Sequence, residues 1–134
     1  MTARYMLDTN MVSQIVRGHA IAVSRLTALP IHEICISAIT EGELRFGLER
    51  RPEALRLHRI VREFLMRVTI RSWDSDAAEI YGRMRAGLES QGKSLGALDM
   101  LITAHALQAD CVLVTNDRAF SQMPDLRIED WTAE

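Results

Sequence analysis

What most limits the folds open to this chain is the alternation of short, unbroken apolar runs with longer segments of helical period. Arg4–Leu7, Glu33–Ser37 with its "ICIS", Val68–Ser72 and Cys111–Thr115 with its "CVLVT" each read as a brief strand, and Leu126–Ile128 as a shorter fifth. The strongest of these runs have no polar alternate positions, so both faces of the strand must be covered. Between them, "NMVSQIVRG" reads as a short helix stopped by Gly18 and "AIAVSRLTALP" as another ending before Pro30. "TEGELRFGLER" reads as helical despite two glycines. From Pro52 onward, Leu57, Ile60, Val61, Phe64, Leu65 and Val68 form one helical stripe. "DSDAAEIYGRMRAGLES" opens on capping residues and aligns Ala77, Ile80, Tyr81, Met84 and Leu88. "GALDMLITAHALQAD" is a compact apolar helix ahead of the "CVLVT" strand. The expectation is an α/β fold of three layers, with a central, mostly parallel, twisted sheet and helices on both faces. Ligands then bind beyond the carboxyl ends of the strands, near a topological switch point.

Size narrows this further. At 134 residues the chain suits one domain, spanning 1–134, and is short for two. Aromatic residues make up 5%, so the core has to be aliphatic. No apolar run approaches the roughly 20 residues of a membrane span, and the N-terminus lacks the apolar segment of a signal peptide. The expected location is cytoplasmic, with no membrane partner. Cys35 and Cys111 are distant in sequence, without a C-x-x-C spacing or a nearby histidine, and read as buried free thiols rather than a zinc site or redox pair. The net charge of −2 makes no global case for nucleic acid. The cations are unevenly spread, however: Lys93 is the one lysine, and eight of the arginines fall between Arg45 and Arg71. Their planar forks suit phosphate and carboxylate equally, against the ordinary reading of a solvated helix face.

The acids carry the chemistry. Asp8 closes the first strand, and Asp117 follows the "CVLVT" run. Glu41 and Glu43 open the helix after "ICIS", and Asp99 lies near the start of the last helix. Taken singly, Asp8 and Asp117 are ordinary turn or cap residues, and Glu43 an ordinary first-turn acid. Asp99 is harder to explain so, because its neighbours Leu98, Met100, Leu101 and Ile102 carry it into apolar surroundings. Four carboxylates on one rim repel one another and raise some of their pKa values. A hard divalent cation resolves that conflict, and an all-oxygen donor set selects magnesium or manganese.

In order along the chain, "LDTN", "SAITEGELRFG", "GALDMLITAHA", "VTNDRAF" and a terminal "IEDW" resemble the PIN-domain ribonucleases, and more narrowly the VapC-type toxins of bacterial toxin–antitoxin pairs. The resemblance runs from Met6 to Trp131. "LDTN" alone is a weak signal; the ordered set is specific. The family's acidic positions fall on Asp8, Glu43, Asp99 and Asp117, and its polar supporting positions on Asn10 and Thr115. Met11 stands where a β-branched residue is common, and Thr103 where a small apolar one is usual. The resemblance implies a Mg2+-dependent endoribonuclease, with Mn2+ a substitute, acting on structured RNA such as tRNA. It also implies a homodimer, inhibition by a cognate VapB-type antitoxin in a larger hetero-oligomer, and contact with DNA only through that antitoxin.

On this reading Asp8 and Asp99 bind the metal directly, and Glu43 binds it directly or through water, or helps to activate the nucleophile. Asp117 completes the site, and Asn10 and Thr115 support it from behind. The arginine-rich middle has two candidate partners, RNA phosphates or an acidic antitoxin surface. Two alternatives stand beside the nuclease. A phosphatase with an aspartyl nucleophile would want a second acid two residues after Asp8, where the chain has Asn10. A non-catalytic RNA-binding module would need no set of four acids. His105, on an apolar helix, reads as a packed histidine.

Overall fold

The computed structural model describes residues 3–134. Its five strands are β1 (Tyr5–Leu7), β2 (Ile34–Ser37), β3 (Thr69–Arg71), β4 (Val112–Val114) and β5 (Ile128–Glu129). They form one sheet in the order β3-β2-β1-β4-β5, with every ladder parallel. The helices are α1 (Thr9–Val16), α2 (Ala20–Thr27), α3 (Ala38–Glu49), α4 (Leu55–Arg67), α5 (Ser75–Ser90) and α6 (Ala97–Gln108). Short 3₁₀ turns at Ile31–Glu33 and Arg118–Gln122 lead into β2 and follow β4.

Strand alternation divides the core into two layers. Met6, Cys35 and Leu113 face a cluster with Met84 and Leu88 of α5 and Ile102, Ala104 and Ala106 of α6. Tyr5, Leu7, Ile34, Ile36 and Val114 face the opposite cluster, built on Met11, Val12, Ala22, Leu44, Leu48, Val61 and Leu65. Helices α1 to α4 thus cover one face and α5 and α6 the other, which is why the central strands are apolar at every position up to Ser37, the last residue of β2. The expected α/β fold is the one observed. Trp131 is buried against Tyr5, its ring 5.5 Å away, and fastens the C-terminal segment to the second layer.

The thiols differ from expectation in one respect. Both are buried and free, but the fold brings Cys35 and Cys111 to a sulfur–sulfur distance of 4.0 Å. Cys35 lies on β2 and Cys111 just before β4, the two strands flanking β1, a proximity that depends on strand order and leaves no trace in sequence spacing.

The sheet order sets the position of the site. From β1 the chain goes to β2 and β3 on one side, then crosses to β4 and β5 on the other. The strand order reverses at β1, and the carboxyl ends of β1 and β4 open side by side there.

Candidate metal centre at the switch point

Asp8 follows β1 directly, and its backbone N–H donates to the Val114 carbonyl of β4 (3.1 Å). The same residue is the N-cap of α1: its backbone is extended, and Oδ1 accepts the Met11 N–H at 2.7 Å. Turn cap and candidate ligand are therefore one carboxylate. The cap fixes one oxygen by a backbone donor, and the strand fixes the backbone. Asp8 is only 4% exposed, and burial pushes its pKa up to about 6. The Thr115 hydroxyl and the Met11 N–H pull in the opposite direction, and the neighbouring Asp99 and Asp117 add to the rise.

Asp99 sits in the first turn of α6, behind an N-cap glycine that offers no side chain. A Cβ on Gly96 would stand 3.4 Å from Asp99 Oδ2, in ordinary contact with it. Burial raises the Asp99 pKa first, followed by the charges of Asp117 and Glu43. Glu43 lies in the second turn of α3, and its Oε1 accepts the Thr9 hydroxyl at 2.6 Å. Glu41 turns away and pairs with Arg45 at 2.9 Å on the helix surface. Asp117 caps the turn after β4 through Oδ1, which accepts the Ala119 N–H, while its own N–H donates to Thr115 Oγ1.

The four acids thus occupy one electrostatic neighbourhood: Asp8 feels the charges of Asp99 and Asp117, and Asp99 those of Asp117 and Glu43. They stand apart within it. Among the described residues, no three His, Cys, Asp or Glu side chains are close enough to hold a metal ion between them. The physical reason is visible in the bonds. Mutual repulsion spreads the carboxylates, and Asp8, Glu43 and Asp117 each rest one oxygen on a local donor. Glu43 and Asp117 each retain a second oxygen, and Asp8 takes the Thr115 hydroxyl besides the Met11 N–H, so the donor set is all-oxygen, anionic and partly desolvated, which fits a hard divalent cation.

The supporting positions divide. Thr115 is buried, accepts from the Asp117 N–H and lies beside the Asp8 carboxylate. Asn10 is an exposed residue of α1, and its side chain makes no hydrogen bond among the described residues. Thr9, its neighbour, makes the polar contact to Glu43, because the first helical residue after the cap faces α3. No sequence signal marks Thr9, because its contact spans 34 residues and a hydroxyl beside a helix start is an everyday cap.

The arginine run also divides. Arg45 and Arg67 pair with Glu41 and Glu63. Arg71 turns inward, with its Nε buried and unpartnered. Arg50 and Arg51, with Arg17 of α1, rim a groove of ≈ 320 Å³ between α1, α3 and α4. Thr9 and Glu43 stand in its wall, and Val16, Leu44, Leu48, Leu57 and Val61 supply apolar lining.

Such a site on such a sheet defines a class. The model of the PIN domain matches residues 5–126, and the chain belongs to the PIN-domain family, whose nucleases are in general metal-dependent. Within it the chain is similar to the VapC ribonucleases. It is 33% identical over 129 residues to "Ribonuclease VapC2" of Haemophilus influenzae, covering 96% of this chain and 98% of the relative. It is 32% identical over 130 residues to the "tRNA(fMet)-specific endonuclease VapC" of Shigella flexneri, with coverage of 96% and 98%. Among solved structures, DNA-bound VapBC from Salmonella typhimurium superposes with a TM-score of 0.90 at 33% identity, covering 97% of this chain and 99% of that one. VapBC2 from Rickettsia felis, bound to a promoter DNA fragment, gives a TM-score of 0.86 at 30% identity, covering 95% and 98%.

Proposed function

We propose that Asp8, Glu43, Asp99 and Asp117 hold Mg2+, with Mn2+ a competent substitute, and that the chain there hydrolyses phosphodiester bonds of structured RNA, a tRNA or another translation-related RNA. The chain is an endoribonuclease of the VapC kind, the toxin half of a toxin–antitoxin pair, neutralised by a cognate VapB-type antitoxin. The observation that carries the metal reading is Asp8: a carboxylate 4% exposed, with a pKa pushed up to about 6 and two further acids beside it. A buried carboxylate with further acids beside it is costly unless a cation neutralises it.

Asp8 and Asp99 hold the ion directly on this account. Glu43, steadied by Thr9, binds it directly or through water, or takes the proton of the attacking water. Asp117 completes the set, and Thr115 keeps Asp8 and the Asp117 loop in register. The ion, when bound, supplies a nucleophilic water at neutral pH and neutralises charge developing on the phosphate. The phosphatase alternative is disfavoured by the exposed Asn10, which offers no acid to an aspartyl nucleophile. A passive RNA-binding module gives no reason to bury Asp8.

The groove beside Glu43 suits the antitoxin better than RNA. Its lining is aliphatic, with an arginine rim and no aromatic side chain on which a base could stack. An amphipathic acidic segment lying there would reach the rim at Glu43. The pair acts in the cytoplasm as a larger hetero-oligomer built on a toxin homodimer, and meets DNA only through the antitoxin. No described helix is long and apolar enough to cross a membrane.

The test is cleavage of structured RNA by the antitoxin-free protein, with Asp99→Asn as control. Mg2+-dependent cutting that the substitution removes supports the reading. Cutting that survives exhaustive chelation overturns it.

A further inference from the structure

We propose that His105 is a positioning residue for the acid rim, acting through Ser37 to fix the helix that carries Glu43 against the helix that carries Asp99. This rests on the metal reading above and adds to it a pair of residues outside the acidic set. Ser37 ends β2 and is the N-cap of α3; its Oγ accepts the Ile39 N–H at 3.1 Å. The same Oγ lies 2.7 Å from Nδ1 of His105, on α6. Both residues are fully buried, at 0% exposure.

Proton counting orients this bond. Ser37 Oγ already accepts one N–H, and among the described residues His105 Nδ1 is the acceptor within its reach. The hydroxyl therefore donates to Nδ1, and the ring proton sits on Nε2, where no acceptor stands in good hydrogen-bond geometry and the Ser72 backbone offers only a weak one. A neutral ring fits the surroundings: burial lowers the pKa of His105, the Arg71 guanidinium lowers it further, and Asp74 and the Ser72 backbone offset this in part.

The placement links the two acids. Glu43 follows Ser37 by six residues on α3, and Asp99 precedes His105 by six on α6. Between each acid and its end of the bond lies a buried threonine, Thr40 on α3 and Thr103 on α6, both with unpartnered hydroxyls. These unpartnered threonines make the seam costly and leave the Ser37–His105 bond as its satisfied polar tie. An apolar residue at 105 would be cheaper to bury. A bond that sets the spacing of Glu43 and Asp99 gives the histidine a use that packing alone does not.

The experiment titrates Mn2+ into the antitoxin-free protein and reads free Mn2+ by electron paramagnetic resonance, with thermal melting of the metal-free samples alongside. Ser37→Ala and His105→Gln break the bond by independent routes, and the second leaves the α3 cap intact. His105→Asn keeps a polar atom near the Nδ1 position. The expected result is Mn2+ affinity weakened roughly tenfold in both breaking variants, the lower end of the range for residues that orient ligands, and largely restored in His105→Asn. Equal affinity in wild type and breaking variants overturns the proposal while leaving the metal site standing. A loss in His105→Asn as large as in His105→Gln, in step with the fall in melting temperature, also overturns it and returns His105 to packing. Wild-type protein that binds no Mn2+ overturns the metal reading itself, and this inference with it.

Discussion

At Asp8 stability and function pull against each other. Its folded-state pKa, about 6, lies above the ordinary aspartate value of 3.8, so between those values the folded state binds more protons than the unfolded one. Stability of the metal-free protein therefore falls as pH rises through that window and stays low above it. The penalty at neutral pH is on the order of 2 to 3 kcal/mol for so buried a group. Asp8→Asn keeps an N-cap side chain of comparable quality, so the substitution raises the metal-free melting temperature at pH 7.5 and flattens its dependence between about pH 4 and 6.5. It also removes cleavage. Differential scanning fluorimetry across pH checks the first outcome and RNA digestion the second. Thr9→Val separates the roles differently: it deletes the 2.6 Å bond to Glu43 while preserving shape. Cleavage falls about tenfold, and stability changes by about 1 kcal/mol, the ordinary worth of one hydrogen bond. The acids themselves are visible in the sequence through their places beside apolar runs. Thr9 and Ser37 are not, since a hydroxyl beside a helix start is an everyday cap until its spatial partner is known.

Elements are legible where apolar period and punctuation agree. Helix α5 begins just after its Asp74 cap, and α1 ends just before Gly18, whose φ of +82° suits a residue without Cβ. Gly18→Ala is expected to cost about 1 kcal/mol in urea unfolding. Gly82, inside α5 with open space around it, gives the opposite result, with Gly82→Ala gaining about 0.5 to 1 kcal/mol. Boundaries are less legible. Val68 fits both the α4 stripe and the next strand, and the structure makes it the residue between them. The fifth strand, expected at Leu126–Ile128, is Ile128–Glu129, because pairing with Leu113 and Val114 sets its register rather than its own composition. At Asp117 the sequence offers a turn or cap residue, but not that the turn it caps after β4 is a 3₁₀ helix over Arg118–Gln122.

Over the whole molecule, strand order does what sequence cannot. It brings Asp8 and Asp117 to the ends of adjacent strands across the β1–β4 boundary, brings Cys35 to Cys111, and sends five of the eight clustered arginines different ways: Arg45 and Arg67 to surface pairs, Arg71 inward, and Arg50 and Arg51 to a groove rim. A second cavity, ≈ 390 Å³ between α5 and the 122–125 segment, is lined mainly by apolar residues and holds none of the four acids. The groove by Glu43 is the surface on which antitoxin and catalysis come apart. Arg17→Glu combined with Arg51→Glu repels an acidic segment, and so weakens neutralisation by the antitoxin at least roughly tenfold (about 1.4 kcal/mol) in pull-down and growth-rescue assays. Cleavage by the free toxin is expected to stay within roughly threefold, a difference of under about 1 kcal/mol.

The central claim, that four carboxylates at the switch point form a metal-dependent nuclease centre, is tested most directly by one measurement. Antitoxin-free wild type and Asp8→Asn are incubated with folded tRNA in Mg2+ and in excess chelator, and the new RNA ends are mapped. Discrete cuts by wild type in Mg2+ alone are expected, and none by a variant whose melting curve shows it fully folded. Discrete cuts by folded Asp8→Asn at the wild-type rate would contradict the claim.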